Sequence, residues 1–185
     1  MEFPKLTTTR TRLTPLSSAD EADVFTLFSN QELVKYYDLA AFTDIAQAKN
    51  LIEFFNQRFT QGSGIRWAIR YKSSNQLMGT CGFNSWSQAM RNASIGYDLH
   101  PKYWRQGYAF EAVEAIIEAA FSGLLPCGPI HRIQADTVLG NTSSEALLSK
   151  LGFNMEGVRR ESGYWKGEFH DLKCFGLLAS EFNQA

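Results

Sequence analysis

The sequence predicts a single domain of α/β (α+β) class, a mixed, mostly antiparallel sheet flanked by helices. Three observations predict it. A length of 185 residues suits one hydrophobic core. The apolar residues switch between alternate and helical spacing, giving the order strand, two helices, three strands, helix, strand, helix, two strands. No linker, internal repeat or low-complexity tract interrupts the chain, so residues 1–185 read as one unit.

The elements follow in order. TRTRLTPL (9–16) alternates and predicts a first strand, and Ser18 with Glu21 has capping-box spacing for a helix running to about Asn30. Asp44 caps a second helix whose Ile45, Ala48, Leu51, Ile52, Phe55 and Phe59 recur on one face. Gly62-Ser63-Gly64 ends it, and RWAIRYK (66–72), QLMGTCGFNSW (76–86) and ASIGYDLH (93–100) read as an antiparallel meander. A helix from about Gly107 to Ser122 puts Phe110, Val113, Ile116, Ile117 and Phe121 inward. HRIQADTV (131–138) is strand-like, and NTSSEALLSKLGF (141–153) predicts an Asn-capped helix stopped by Gly152. A closing hairpin turns at Lys166-Gly167.

Composition narrows the function. Eighteen basic against 19 acidic residues leave a net charge of -1, so no global field favours nucleic acid or an anionic membrane, and any anion site is local. Cys81, Cys127 and Cys174 are dispersed and lack metal-ligand spacing, which predicts reduced packing residues and no metal centre. The first residues lack the apolar run of a signal peptide, and no stretch approaches a membrane span, so the expected location is cytoplasmic. The expected assembly is a monomer or a homodimer.

PKYWRQGYAFEA (101–112) is the stretch that carries chemistry. Trp104 to Ala109 follow a strand and open a helix, which aims backbone N–H groups at the helix's positive end and suits a phosphate or pyrophosphate. Gly107 permits close approach of the backbone. Neither the P-loop nor the G-x-G-x-x-G pattern is present, and a helix-opening glycine alone is equally an ordinary helix entry.

The same chain carries IGYDLHPKYWRQGYAFEA (95–112), HRIQADTVLGNTSSEALLSKLGFNMEGV (131–158) and GEFHD (167–171). In that order they resemble the GNAT superfamily of acetyl-CoA-dependent N-acetyltransferases, and within it the RimJ/RimL branch that acetylates ribosomal-protein N-termini. The resemblance runs from about residue 10 to the LLASE near the end. It implies a sheet splayed at an acetyl-CoA site, with the N–H groups of Arg105, Gln106, Gly107, Tyr108 and Ala109 on the coenzyme A pyrophosphate. Trp104 stands where the family signature has Gln or Arg. The backbone near Asp98 and Leu99 is implied to pair with the pantetheine arm, which Asn141 also contacts.

For catalysis the resemblance implies Asp136 as the base that takes the amine proton and Ser144 beside the thioester sulfur; a water relay is an alternative to the base, and Glu161 is the next candidate carboxylate. Asn141 as a plain helix cap and Asp136 as a strand-end structural carboxylate remain alternatives. Leu148 occupies the position where many relatives carry a tyrosine acid. Trp67, Phe83, Trp86, Tyr97, Tyr164 and Trp165 are candidates for the acceptor pocket, although strand aromatics equally pack inward. Glu32, Asp98, Glu161 and Glu168 could attract a cationic acceptor, while His100, His131 and His170 read as structural. The implied acceptor is a protein N-terminal α-amine, whose pKa of about 7.7 to 8 leaves a useful neutral fraction at pH 7. Rival readings are a polyamine or aminoglycoside acetyltransferase and a non-catalytic acyl-CoA sensor or interaction module.

Overall fold

Strong local signals fix most of the elements. The computed structural model describes residues 2–182. In order they form β1 (Leu6–Thr7), β2 (Thr11–Pro15), α1 (Glu21–Phe28), α2 (Gln31–Val34), α3 (Ile45–Thr60), β3 (Ile65–Tyr71), β4 (Leu77–Ser87) and β5 (Asn92–Leu99). Then come α4 (Tyr108–Phe121), β6 (Arg132–Val138), α5 (Thr142–Lys150), β7 (Asn154–Trp165), β8 (Glu168–Leu178) and α6 (Ala179–Phe182). Asp44 accepts the Ala46 N–H at 2.8 Å while Gln47 accepts the Asp44 N–H at 3.0 Å, a reciprocal cap that starts α3. At the end of α5 Gly152 takes φ 89°, and Phe153 N–H reaches back to the Leu148 carbonyl at 3.0 Å. Lys166 and Gly167 have φ 53° and 82°, the pair of left-handed residues that a tight hairpin turn needs.

Two expectations shift. The cap ahead of α1 lies one residue earlier than Ser18/Glu21: Asp20 accepts the Ser17 N–H at 2.8 Å. The short elements β1, α2 and α6 go beyond the predicted list.

The eight strands form one open sheet in the order β1-β2-β3-β4-β5-β6-β8-β7. β5 and β6 run parallel and the other described neighbours antiparallel. Each face of the sheet buries its own apolar set. On one face Val113, Ile116 and Ile117 of α4 and Leu148 of α5 pack on Trp67, Phe83, Ile95, Ile133 and Leu177. On the other, Val24, Leu27 and Phe28 of α1 and Ile52 and Phe55 of α3 meet Ala68 and Leu77. No described helix is long and apolar enough to cross a membrane.

Candidate active site

The parallel pair is joined over three positions, Asn92, Ala93 and Ser94 against Arg132, Ile133 and Gln134. Beyond them β5 stays paired with β4 and β6 with β8, but not with each other. A wedge therefore opens toward the C-terminal ends of both strands and leaves one edge of Ile95–Leu99 without a strand partner among the described residues. Thr137 Oγ1, on the separated part of β6, is buried with no hydrogen-bond partner among the described residues.

The loop 100–107 stands at the mouth of this wedge. The Trp104 indole N–H donates to the Leu99 carbonyl at 2.5 Å, tying the loop to the end of β5. Arg105 and Gly107 adopt left-handed φ of 58° and 82°. The Glu111 N–H bonds to the Gly107 carbonyl at 3.0 Å, so the N–H groups of Tyr108, Ala109 and Phe110 lie in the helix's first turn, ahead of its carbonyl ladder. Arg10 sets the shape of the loop from the far end of the chain. Its guanidinium donates to the Glu111 carboxylate at 2.7 Å and to the Gln106 carbonyl at 3.0 Å, and lies 4.3 Å over the Tyr108 ring. A Cβ at residue 107 would come 3.2 Å from that guanidinium.

Two side chains meet on the α5 side of the wedge. Tyr97 of β5 and Ser144 of α5 bring their hydroxyls to 2.6 Å, and the Asn141 side chain accepts the Ser144 N–H at 3.3 Å. Burial pushes the Tyr97 phenol up to about 12, against a weaker opposite pull from Ser144.

The opposite face carries the charges. Arg66 of β3 reaches over β4 to the Asp98 carboxylate at 2.5 Å and also donates to Thr80 Oγ1 at 2.7 Å. Asp98 further accepts the Tyr37 hydroxyl at 3.2 Å, the Thr80 hydroxyl at 2.8 Å and the Thr80 N–H at 3.0 Å. Asp136 projects from the same face of β6, since Ser94 and Gln134 are register partners and the side chains alternate from there. It is exposed and pairs with Arg159 of β7.

These features frame the comparison with known proteins. The profile of the acetyltransferase (GNAT) domain matches residues 10–154. The chain belongs to the GNAT acetyltransferase family. The uncharacterized N-acetyltransferase YoaA of Bacillus subtilis is 35% identical over 95% of this chain and 97% of its own length. The [ribosomal protein uS5]-alanine N-acetyltransferase of Escherichia coli is 27% identical over 69% of this chain and 64% of its own. Among solved structures, RimL, the ribosomal L7/L12 α-N-protein acetyltransferase in complex with coenzyme A, superposes with TM-score 0.83 at 19% identity, covering 95% of this chain and 98% of its own.

In this GNAT chain several predicted site residues converge and others do not. Arg105 to Ala109, Tyr97, Asn141 and Ser144 gather around the wedge. Trp67 and Phe83 belong to the core, at 0% and 1% exposure, with rings packed edge to face at 6.5 Å. They face α4 because their strand positions alternate with Arg66 and Gly82, and a fully buried ring cannot line an acceptor pocket. Trp86 pairs with Ala93, at the end of β5 that stays joined to β6, and its indole is tied to the Gly62 carbonyl at 2.6 Å.

The closing hairpin has its own stacking. Tyr164 and Trp165 sit near its tip, Tyr164 tilted against Phe169 and Trp165 stacked on His170. Lys166 donates to the Val34 carbonyl at 2.7 Å and holds that tip against α2. The Asp98 carboxylate is consumed by Arg66, Thr80 and Tyr37, so it is not a free anion for a cationic acceptor. The Leu99 carbonyl is taken by Trp104. Tyr97 serves the α5 side of the wedge, away from the face that carries Asp136.

Sequence reading passed over Arg10, Arg66, Tyr37 and Arg159. Each is a long-range partner, and only the basic or phenolic residue type was available as a signal.

Proposed function

We propose that this acetyltransferase binds acetyl-CoA in the wedge and transfers the acetyl group directly to the α-amine of a protein N-terminus, with a ribosomal protein as the acceptor class. One observation carries the reading: β5 and β6 separate beside a helix N-terminus that opens on a left-handed glycine. The side-chain-free Gly107, where a Cβ would crowd the Arg10 guanidinium, and the Thr137 hydroxyl, without a partner among the described residues, fit a ligand with a pyrophosphate at one end and an arm threaded between strands. The printed activities of the uS5 and L7/L12 acetyltransferases support the acceptor class.

In this reading the N–H groups of Arg105 to Ala109 hold the pyrophosphate, with Arg105 adding charge at the rim. The free edge of β5 pairs with the pantetheine amides as though with another strand. Asp136 receives the amine proton directly or through one water, and Arg159 keeps that carboxylate oriented. Ser144 donates a hydrogen bond to the departing sulfur. Acetyl-CoA supplies an already activated acyl group, so these residues need only orient the amine, take its proton and stabilise the thiolate.

The test is thiol release by the purified protein with acetyl-CoA and a panel of N-terminal peptides, N-terminally blocked lysine peptides, polyamines and aminoglycosides. Turnover of free-N-terminal peptides, ribosomal ones foremost, is expected. Preference for a polyamine or aminoglycoside overturns the acceptor class, and absence of any turnover overturns the enzymatic reading. Gly107→Val should raise the acetyl-CoA Kd at least about tenfold, equivalent to about 1.4 kcal/mol. Unchanged affinity in a folded variant would remove the loop from the site.

A further inference from the structure

The contact between Tyr97 and Ser144 has a direction. The two oxygens lie 2.6 Å apart, and either could donate. If Ser144 donated, the phenol proton would have, among the described residues, only the Ser144 carbonyl, at 3.4 Å, as an acceptor. That carbonyl already lies inside α5, where a helical N–H uses it. If Tyr97 donates, its proton has a short, well-placed acceptor, and the serine proton is left over. Among the described residues Ser144 Oγ has no other partner.

The surroundings fix both ends of this contact. Asn141 accepts the Ser144 N–H and so holds the first turn of α5, while Tyr97 rises from the stretch of β5 that β6 has left. Burial raises the phenol's pKa and so favours its protonated, donating form. A serine hydroxyl has one proton and two lone pairs. Once a lone pair accepts from Tyr97, the proton can only point away from the phenol.

We propose that Tyr97 is a positioning residue for acetyl transfer: its hydroxyl donates to Ser144 Oγ and thereby turns the serine proton toward the coenzyme sulfur. The inference rests on the acetyl-transfer reading above and adds a residue to it. The amine lone pair forms the C–N bond, the C–S bond breaks, and its electron pair goes to sulfur. The Ser144 O–H hydrogen-bonds to that thiolate, the amine proton leaves through Asp136 or water, and Tyr97 keeps its own proton throughout. Tyr97 thus stands in for the helix tyrosine whose place Leu148 occupies, acting through a serine and not on the sulfur itself.

The experiment is a double-mutant cycle on the full chain with Tyr97→Phe, Ser144→Ala and the pair, using the best acceptor from the panel. Acetyl-CoA affinity is measured by calorimetry, and melting temperature serves as a fold control. Tyr97→Phe removes one oxygen and keeps the ring, so the fold is expected to survive. It should lower kcat by about threefold to tenfold, the range of one neutral hydrogen bond, with acetyl-CoA Kd and acceptor KM little changed. The double variant should be no slower than Ser144→Ala.

A second donor, acetyl-selenocoenzyme A, carries a better leaving group, and with it both single losses should shrink. Losses that multiply in the double variant, or that persist unchanged with the selenium donor, overturn the role of Tyr97. A Ser144→Ala variant with full kcat overturns the leaving-group role of Ser144 itself, which is a different failure from an inert Tyr97→Phe beside a slow Ser144→Ala. Loss of turnover with every acceptor in the wild-type protein would be the failure of the underlying reading.

Discussion

Two arginine–aspartate pairs span this sheet, and they are built alike but live in different surroundings. Arg66 on β3 reaches over β4 to Asp98 on β5; Arg159 on β7 reaches over β8 to Asp136 on β6. The first pair has side-chain exposures of 3% and 1%, the second 54% and 37%. Tyr37 and Phe55 cover the first, with the Arg66 guanidinium 5.2 Å from the Phe55 ring. In the low dielectric of that site neither charge can be left without the other. In water the second pair contributes at most about 1 kcal/mol, and its carboxylate stays open to solvent. The same two residue types therefore hold the strands together in one place and leave a carboxylate exposed to solvent in the other.

The comparison breaks first at the buried pair. Asp98→Ala strands the Arg66 guanidinium in the core and should cost about 3 to 5 kcal/mol, a fall in Tm on the order of 10 °C for a chain of this size. Asp98→Asn, which keeps acceptor oxygen for Thr80 and Tyr37, should cost less. Thermal and denaturant unfolding check both. If Asp98→Ala costs under about 1 kcal/mol, the two pairs are energetically equivalent and burial has not set them apart.

At the exposed pair the expected effect falls on rate. Asp136→Asn should leave Tm and acetyl-CoA affinity nearly unchanged while lowering kcat by roughly 10²-fold at neutral pH. Part of the loss should return toward pH 9.5, where more of the acceptor amine is already neutral. Profiles of kcat against pH for both proteins decide it. Parallel profiles at near-equal rates would retire Asp136 as the base and turn attention to Glu161.

Arg10 and Glu111 form an intermediate case, with exposures of 41% and 17%, at the start of α4. Burial alone would raise the Glu111 carboxyl, but hydrogen bonds from Thr8 and Arg10 outweigh it and hold the group below its ordinary value. A depressed folded pKa contributes stability that is present above the unfolded pKa and lost as pH falls through the folded one. Glu111→Gln should therefore cost about 1 kcal/mol near neutrality, and its Tm should converge with that of the wild type as pH drops below the ordinary carboxylate range. A gap that stays constant down to pH 3 would show that the carboxylate charge contributes nothing.

What was legible in the sequence follows the same line between local and distant. The Asp44 cap, the Gly152 stop and the Lys166-Gly167 turn were readable because each motif closes within a few residues. Even there, Ser17/Asp20 and Ser18/Glu21 offer the same spacing, and the structure uses the first. Alternation along β3 and β4 marked Trp67 and Phe83 as strand residues without saying which face would be buried. The partners of the four site carboxylates and hydroxyls were out of reach altogether.

The sequence by itself determined the order of the longer elements, the glycine-opened helix after a strand and the family to which that combination belongs. Local sterics and capping bonds set the first two, and they need no knowledge of the rest of the chain. Tertiary structure alone decided that Asp98 is spent on Arg66, that Asp136 faces Arg159 in solvent, that Tyr97 meets Ser144 and that Arg10 shapes the loop around Gly107. Each of these joins residues from separate elements. Whether such a charge or hydroxyl is buried, paired or free depends on the sheet order that brings its partner alongside.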